Sequence, residues 1–123
     1  MNIFEVFTKF PEEGKRIGMI LAGYSDIEVA LMYCVKVARN ELNSTLKAMF
    51  RPRGETTRVE VADALGRQVY AELGLEGEFA QAIGAIKHCI KIRNQYAHST
   101  WWDSYAGLLA FADLEELAKK NEF

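Results

Sequence analysis

Helical periodicity runs through nearly the whole chain and sustained alternation appears nowhere, so the backbone has little choice but to form helices. Ile27, Ala30, Leu31, Cys34, Ala38, Leu42, Leu46 and Met49 recur at helical spacing and read as one apolar stripe. It ends before Arg51-Pro52-Arg53-Gly54, a breaker cluster. Upstream, Pro11 with Glu12 and Glu13 behind it opens a helix that reaches the region of Tyr24. Ser25-Asp26-Ile27-Glu28 has capping-box form and either starts a new helix or marks a kink in one long one. Thr57-Arg58-Val59-Glu60 is a second such box, opening a helix with the stripe Ala62, Leu65, Val69 and Leu73 that closes at Gly74. Another helix begins at Glu76 or Gly77, and Asp113 caps a last amphipathic one through Lys120. Residues 108–111 are too few to classify, being extended or a single loose turn. The expected fold is all-α: an antiparallel bundle of four main helices plus a short C-terminal helix, in a single domain over residues 1–123.

At 123 residues, half of them hydrophobic and 26% charged, the chain has the size and composition to bury one core without disulfides or metals. Its uninterrupted apolar runs are short and no basic leader precedes them, so the expectation is a cytoplasmic protein with no membrane association. Cys34 and Cys89 each fall on an apolar helical face without ligand spacing, and read as small reduced core residues. His88 and Cys89 are adjacent and so point about 100° apart on a helix. No metal site and no cofactor are expected. Gly14, Gly18 and Gly23 lack the spacing and preceding strand of a phosphate loop.

The net charge is −2, which disfavours a general nucleic-acid coat protein, but the charge is unevenly spread. Lys36, Arg39, Lys47, Arg51, Arg53 and Arg58 face only Glu41 and Glu55 over the same stretch, and Lys87, Lys91 and Arg93 extend the basic character. The acids gather at Glu72, Glu76 and Glu78 and in the final helix. Lys87, Lys91, Arg51 and Arg53 are therefore candidate phosphate or RNA contacts, against the plainer reading of solvated helix faces.

Within the helix that begins near Glu76, Arg93 breaks the pattern. Its wheel position lies about 20° from Ile86, in the middle of the arc formed by Phe79, Ile83, Ile90 and their neighbours. A buried guanidinium needs a partner. Either a carboxylate supplies it, with Glu60 and Asp63 as candidates, or the group is held ready for an anion. That helix is also apolar over about half its circumference, more than one neighbour requires, which points to a subunit interface and a two-fold homodimer.

Arg93, Asn94 and His98 together hold the parts of metal-free RNA cleavage. The guanidinium matches phosphate oxygens, the imidazole can move a proton near neutrality, and Asn94, one turn before His98, can orient it. Five residues, however, separate Arg93 and His98 by about 140° on an ideal helix. Convergence requires the helix to loosen after about Tyr96, or two copies of the motif to meet across a dimer axis. As structural alternatives, His98 can simply cap the helix dipole, and Trp101 and Trp102 can be core or interface anchors rather than base-stacking surfaces. Ser99 has no acid in triad arrangement, and no helix-turn-helix reading head is evident.

Arg93-Asn94, three residues and then His98, at the end of an apolar helix in a small helical chain, resembles the HEPN superfamily motif. Ile90 to Ser99, with the helical segment 57–73 before it, is also similar to the mannitol-operon-repressor-like branch of small helical bacterial proteins. The first resemblance implies a homodimeric, metal-independent endoribonuclease of toxin or defence type, with Arg93 and His98 catalytic, Asn94 supporting, RNA as substrate and an antitoxin as a further partner. The second implies a non-catalytic dimeric binding module, or a regulator acting indirectly on transcription through a partner protein.

Overall fold

The computed structural model describes residues 5–120 of the chain. Among them the fold is an all-α helical bundle carrying one small hairpin. In order come α1 (Glu5–Lys9), α2 (Pro11–Arg39), α3 (Asn43–Phe50), α4 (Glu55–Glu72), α5 (Glu76–His98), β1 (Thr100–Asp103), β2 (Leu109–Ala112) and α6 (Leu114–Lys120). The chain divides into two compact units: residues 23–91, and the described part of 1–22 with 92–123.

Residues 23–91 hold all of the buried core. Tyr24, Leu31, Met32 and Val35 of α2, Met49 of α3, Val59 and Ala62 of α4, and Phe79, Ile83 and Ile90 of α5 pack into one cluster. The burial of α2 differs from the stripe read in the sequence. Leu31 is shared, but Ala30 and Cys34 are exposed, and the buried face is formed by Tyr24, Glu28, Leu31, Met32 and Val35. Cys34 is therefore not a core residue, whereas Cys89 is half-buried against the cluster. The face turned because it carries Glu28, whose two carboxylate oxygens each accept from Arg58 Nη1 at 3.0 Å. A buried charge in the stripe is tolerable once α4 brings its partner.

The box at Thr57 is not used as a cap, and the one at Ser25 lies within one continuous helix rather than at a new start. α2 passes through Ser25 without interruption, and α4 starts at Glu55 behind Gly54, leaving Thr57 in its first turn rather than at its cap. The long stripe expected to run from Ile27 to Met49 is broken instead after Arg39. Asn40 takes φ +54° and Glu41 N–H reaches back to the Lys36 carbonyl at 3.2 Å, a closing bond that ends one helix and frees the chain to start α3. Gly74 ends α4 as expected: at φ +77° it lets Leu75 N–H bond the Tyr70 carbonyl at 2.8 Å. Close packing sits at Gly66, where an added Cβ would lie 2.8 Å from Phe79 Cζ.

In the other unit, residues 109–111 of the stretch 108–111 are extended, within β2, and Leu108 lies in the bend before it. β1 and β2 pair antiparallel with Trp101 opposite Phe111 and Trp102 opposite Ala110. The reversal holds Tyr105 at φ +61° and Gly107 at φ +83°, and Asp103 Oδ1 accepts from Tyr105 N–H at 2.8 Å. Asp113 caps α6, its Oδ1 accepting from the Glu115 and Glu116 amides at 3.1 and 3.3 Å. Helix α1 carries no periodic signal of its own and was not anticipated; its place is set by tertiary contacts with β1.

Helix α2 is, by length and composition, long and apolar enough to cross a membrane, its most apolar window having a mean hydropathy of 1.3. The same helix buries Glu28 against Arg58 in residues 23–91, an arrangement suited to a core helix and costly in hydrocarbon.

Candidate functional site

Helix α5 remains α-helical to His98. The loosening after Tyr96 that would let Arg93 and His98 converge within one chain does not occur. An unbroken five-residue step leaves them about 140° and roughly 7.5 Å of rise apart. His98 is exposed, while Arg93 and Asn94 are half-buried. By helical phase His98 shares a face with Lys87, Lys91 and Asn94, and Arg93 lies on the flank that carries Ile83, Ile86 and Ile90.

Arg93 Nη1 donates to Asn94 Oδ1 at 3.0 Å. The guanidinium is thus held in part by its own neighbour, and its Nε is buried. The bond also redefines Asn94: among the described residues no hydrogen bond joins its amide to His98, so it acts on the arginine and not on the imidazole. Of the two carboxylates considered for Arg93, Asp63 accepts from Arg67 Nε at 2.7 Å and Glu60 is exposed. A buried carboxylate, Glu28, is paired instead with Arg58, which sequence spacing of 30 residues did not reveal.

Lys87, Lys91, Arg51 and Arg53 are all exposed, the first two one turn apart on α5 and the others in the turn after α3. Ile92, also on α5, leaves 37% of its surface open, and Ala82 and Ala85 are exposed, so one flank of the apolar arc lies uncovered in the single chain.

Immediately after His98 the chain builds a second feature that motif reading passed over. Ser99 Oγ donates to the Gln95 carbonyl, closing α5, and β1 follows at once. Trp101 stacks on Tyr96 (centroids 5.7 Å, 10° between planes) and on Phe111 (4.7 Å, 26°), with Phe7 tilted against it at 5.9 Å. Between α1 and β1 lies a cleft of about 900 Å³, lined by residues 5–9, 99–103 and Tyr105. Lys9 and Asp103 form an ion pair at this cleft. The hydrogen bond from Lys9, joined by that from the Tyr105 amide, holds the Asp103 carboxyl below its usual range, and the same bond raises the Lys9 ammonium. A readable signal existed: two apolar aromatic runs around Asp-Ser-x-x-Gly are a hairpin pattern.

No protein-family model, curated protein or solved structure matches this chain.

Proposed function

We propose that the chain is a HEPN-like, homodimeric, metal-independent endoribonuclease in which Arg93 and His98 act together across two copies. The observation that carries this reading is the Arg93–Asn94 hydrogen bond. It holds the guanidinium by a neighbouring amide in the stretch that carries the exposed His98. A straight α5 keeps one chain's arginine and histidine apart, so the composite site needs a second copy, and the uncovered apolar flank of α5 is the surface to bring it.

In this site the neutral His98 imidazole takes the proton of an RNA 2′-hydroxyl as that oxygen attacks phosphorus. The phosphorus–O5′ bond breaks, the imidazolium returns a proton to the departing 5′-oxygen, and Arg93 neutralises the crowded phosphorane. Asn94 positions the guanidinium, while Lys87, Lys91, Arg51 and Arg53 hold the phosphate backbone. The products are 2′,3′-cyclic phosphate and 5′-hydroxyl ends.

The test is cleavage of labelled single-stranded RNA in EDTA. Wild type should cut and leave cyclic phosphate ends, and Arg93→Ala and His98→Ala should each be inactive. Mixing the two inactive variants should restore about a quarter of the wild-type rate, because half the dimers then hold one intact composite site. No recovery on mixing would sink the two-copy site; an inert wild type would sink the enzyme.

A second reading, a non-catalytic dimeric module that regulates through a partner protein, draws on a different observation. Val29, Tyr33 and Val37 form an exposed apolar row along α2, 43%, 54% and 69% open. Under that reading Arg93→Ala lowers stability, His98→Ala is silent, and no RNA is cut.

A further inference from the structure

Within the described part of 1–22 and 92–123, strand β1 is paired along one edge only. Ser104 N–H donates to the Leu108 carbonyl at 3.1 Å, so residues 104 and 108 form a hydrogen-bonded pair at the end of the antiparallel ladder. Such pairs alternate, and the register continues with Asp103 opposite Leu109, Trp102 opposite Ala110, Trp101 opposite Phe111 and Thr100 opposite Ala112. Thr100 and Trp102 therefore turn their backbone groups to β2. The N–H and C=O groups of Trp101 and Asp103 point the other way, to the outer edge of β1, where the sheet has no further strand. Among the described residues no hydrogen bond meets these groups.

The cleft between α1 and β1 lies along that edge. It is lined by every residue of β1 and by none of β2, so it opens beside the hairpin and not over its face. Its other wall is α1, where the apolar Val6 and Phe7 stand between Glu5 and Lys9. The Lys9–Asp103 ion pair, and Phe7 tilted on Trp101 at 5.9 Å, fix that wall beside β1. A slot with unused backbone donors and acceptors on one side and apolar side chains on the other suits one kind of ligand. An extended chain adds to such an edge as a further strand, held by main-chain hydrogen bonds, with alternate side chains directed at the wall.

We infer that this edge is a docking site for an extended peptide segment of a partner protein, which pairs with Trp101 and Asp103 as a third strand. A second copy of this chain is the poorer occupant. Two β1 strands paired antiparallel about a two-fold axis bring both α1 helices to one face beside the shared edge, and each α1 already walls that space. A lone segment carries no such element. Its residues opposite Trp101 and Asp103 turn both backbone groups to β1, and the residue between them turns its groups away. The cleft holds Glu5 and Asp103 against Lys9, so a segment with a basic residue is favoured over an acidic one. The inference goes beyond the ribonuclease reading and shares no residue with it: capture at β1 and cleavage by Arg93 and His98 succeed or fail separately.

The experiment selects displayed random heptapeptides on the full chain, then measures binding of an enriched, end-blocked synthetic peptide by fluorescence anisotropy. A scan of single N-methyl groups along that peptide should show alternation. At every second position of the docked stretch the affinity should fall roughly tenfold or more, and at the positions between it should change little. On the protein side, Asp103→Pro removes one outward N–H while leaving the ladder to β2 intact, and should weaken binding about tenfold. Asp103→Asn, which loses the ion pair but keeps the N–H, should stay within about threefold of wild type. Each variant is first checked for a wild-type helical spectrum, and if Asp103→Pro does not fold the N-methyl scan decides alone. The inference is overturned if no peptide is enriched, if the scan shows no alternation, or if a folded Asp103→Pro binds like wild type. It is equally overturned if Asp103→Pro lowers the oligomeric mass of the chain and no peptide competes with that assembly, since β1 then pairs with a second copy.

Discussion

The two units are held together by different physics. Residues 23–91 contain every fully buried residue among those described, mostly aliphatic and drawn from four helices. The described residues of 1–22 and 92–123 include none; there Trp101, Phe111, Tyr96 and Phe7 stack while partly open, and an exposed ion pair ties α1 to β1. Aliphatic burial specifies a rigid unit, whereas stacked rings and surface charge hold a smaller element with less at stake in each contact. Arg93, His98 and the cleft between α1 and β1 all belong to the second kind of region. Sites that must admit a substrate are commonly drawn from such lower-stability elements.

The contrast is sharpest at Phe79, which packs on Tyr70 with centroids 4.8 Å apart and reaches Gly66. Phe79→Ala should cost about 3–5 kcal/mol in denaturant unfolding, the usual toll of emptying an aromatic site in a core. A loss near zero would mean that residues 23–91 do not depend on their aliphatic cluster. Next in size is Glu28→Ala, which strands Arg58 with its Nε buried and without a hydrogen-bond partner among the described residues; about 3 kcal/mol should be lost. Replacing both by apolar residues of similar volume should recover most of it, and failure to recover would assign the pair a role beyond neutralising itself.

Gly66→Ala should follow at about 1–3 kcal/mol, because Phe79 must yield to the new methyl group and Val35 stands 3.4 Å away. A stabilising result would show that the Phe79 ring can shift freely, and the contrast in rigidity would weaken.

The smallest effect belongs to the hairpin and is read in pH. The Asp103 carboxyl is held below its ordinary value of 3.8, so its contribution is present above that value and fades as acid titrates through the lowered one. Lys9 is raised above 10.5, so its contribution is present below that value and is lost as pH rises through the raised one. Amide protection over residues 100–112, taken relative to the intrinsic exchange rate at each pH, should therefore be flat across neutrality and fall at both extremes, with Asp103→Asn removing the acid limb. If core amides such as those of Ile83 and Val35 lose protection in step, the two regions open together and the comparison breaks.

Much of this was legible in the residues themselves. Helical spacing named the class, Pro11 the first residue of α2, Gly74 the end of α4, Glu76 the start of α5 and Asp113 the cap of α6, because each depends on the backbone of a few neighbouring residues. Arg93, Asn94 and His98 were also legible as a group, as was the conflict between their spacing and their joint use. The box at Thr57 misled because its neighbours suit a cap, yet α4 starts at Glu55; the box at Ser25 lies inside one long helix, one of the two outcomes its sequence allowed.

Other features turned on distance along the chain. Which face of α2 is buried was decided by Arg58, thirty residues away, whose approach made Glu28 an acceptable core residue and turned Cys34 outward. The cleft needed residues 5–9 beside residues 99–103, a pairing with no local signature. By itself the sequence determined the helical class and several helix ends, such as the start of α2 at Pro11 and the stop of α4 at Gly74, since propensity, capping and periodicity act over one or two turns. Only the tertiary structure decided which faces are buried, because that outcome depends on partners that the chain supplies from far away.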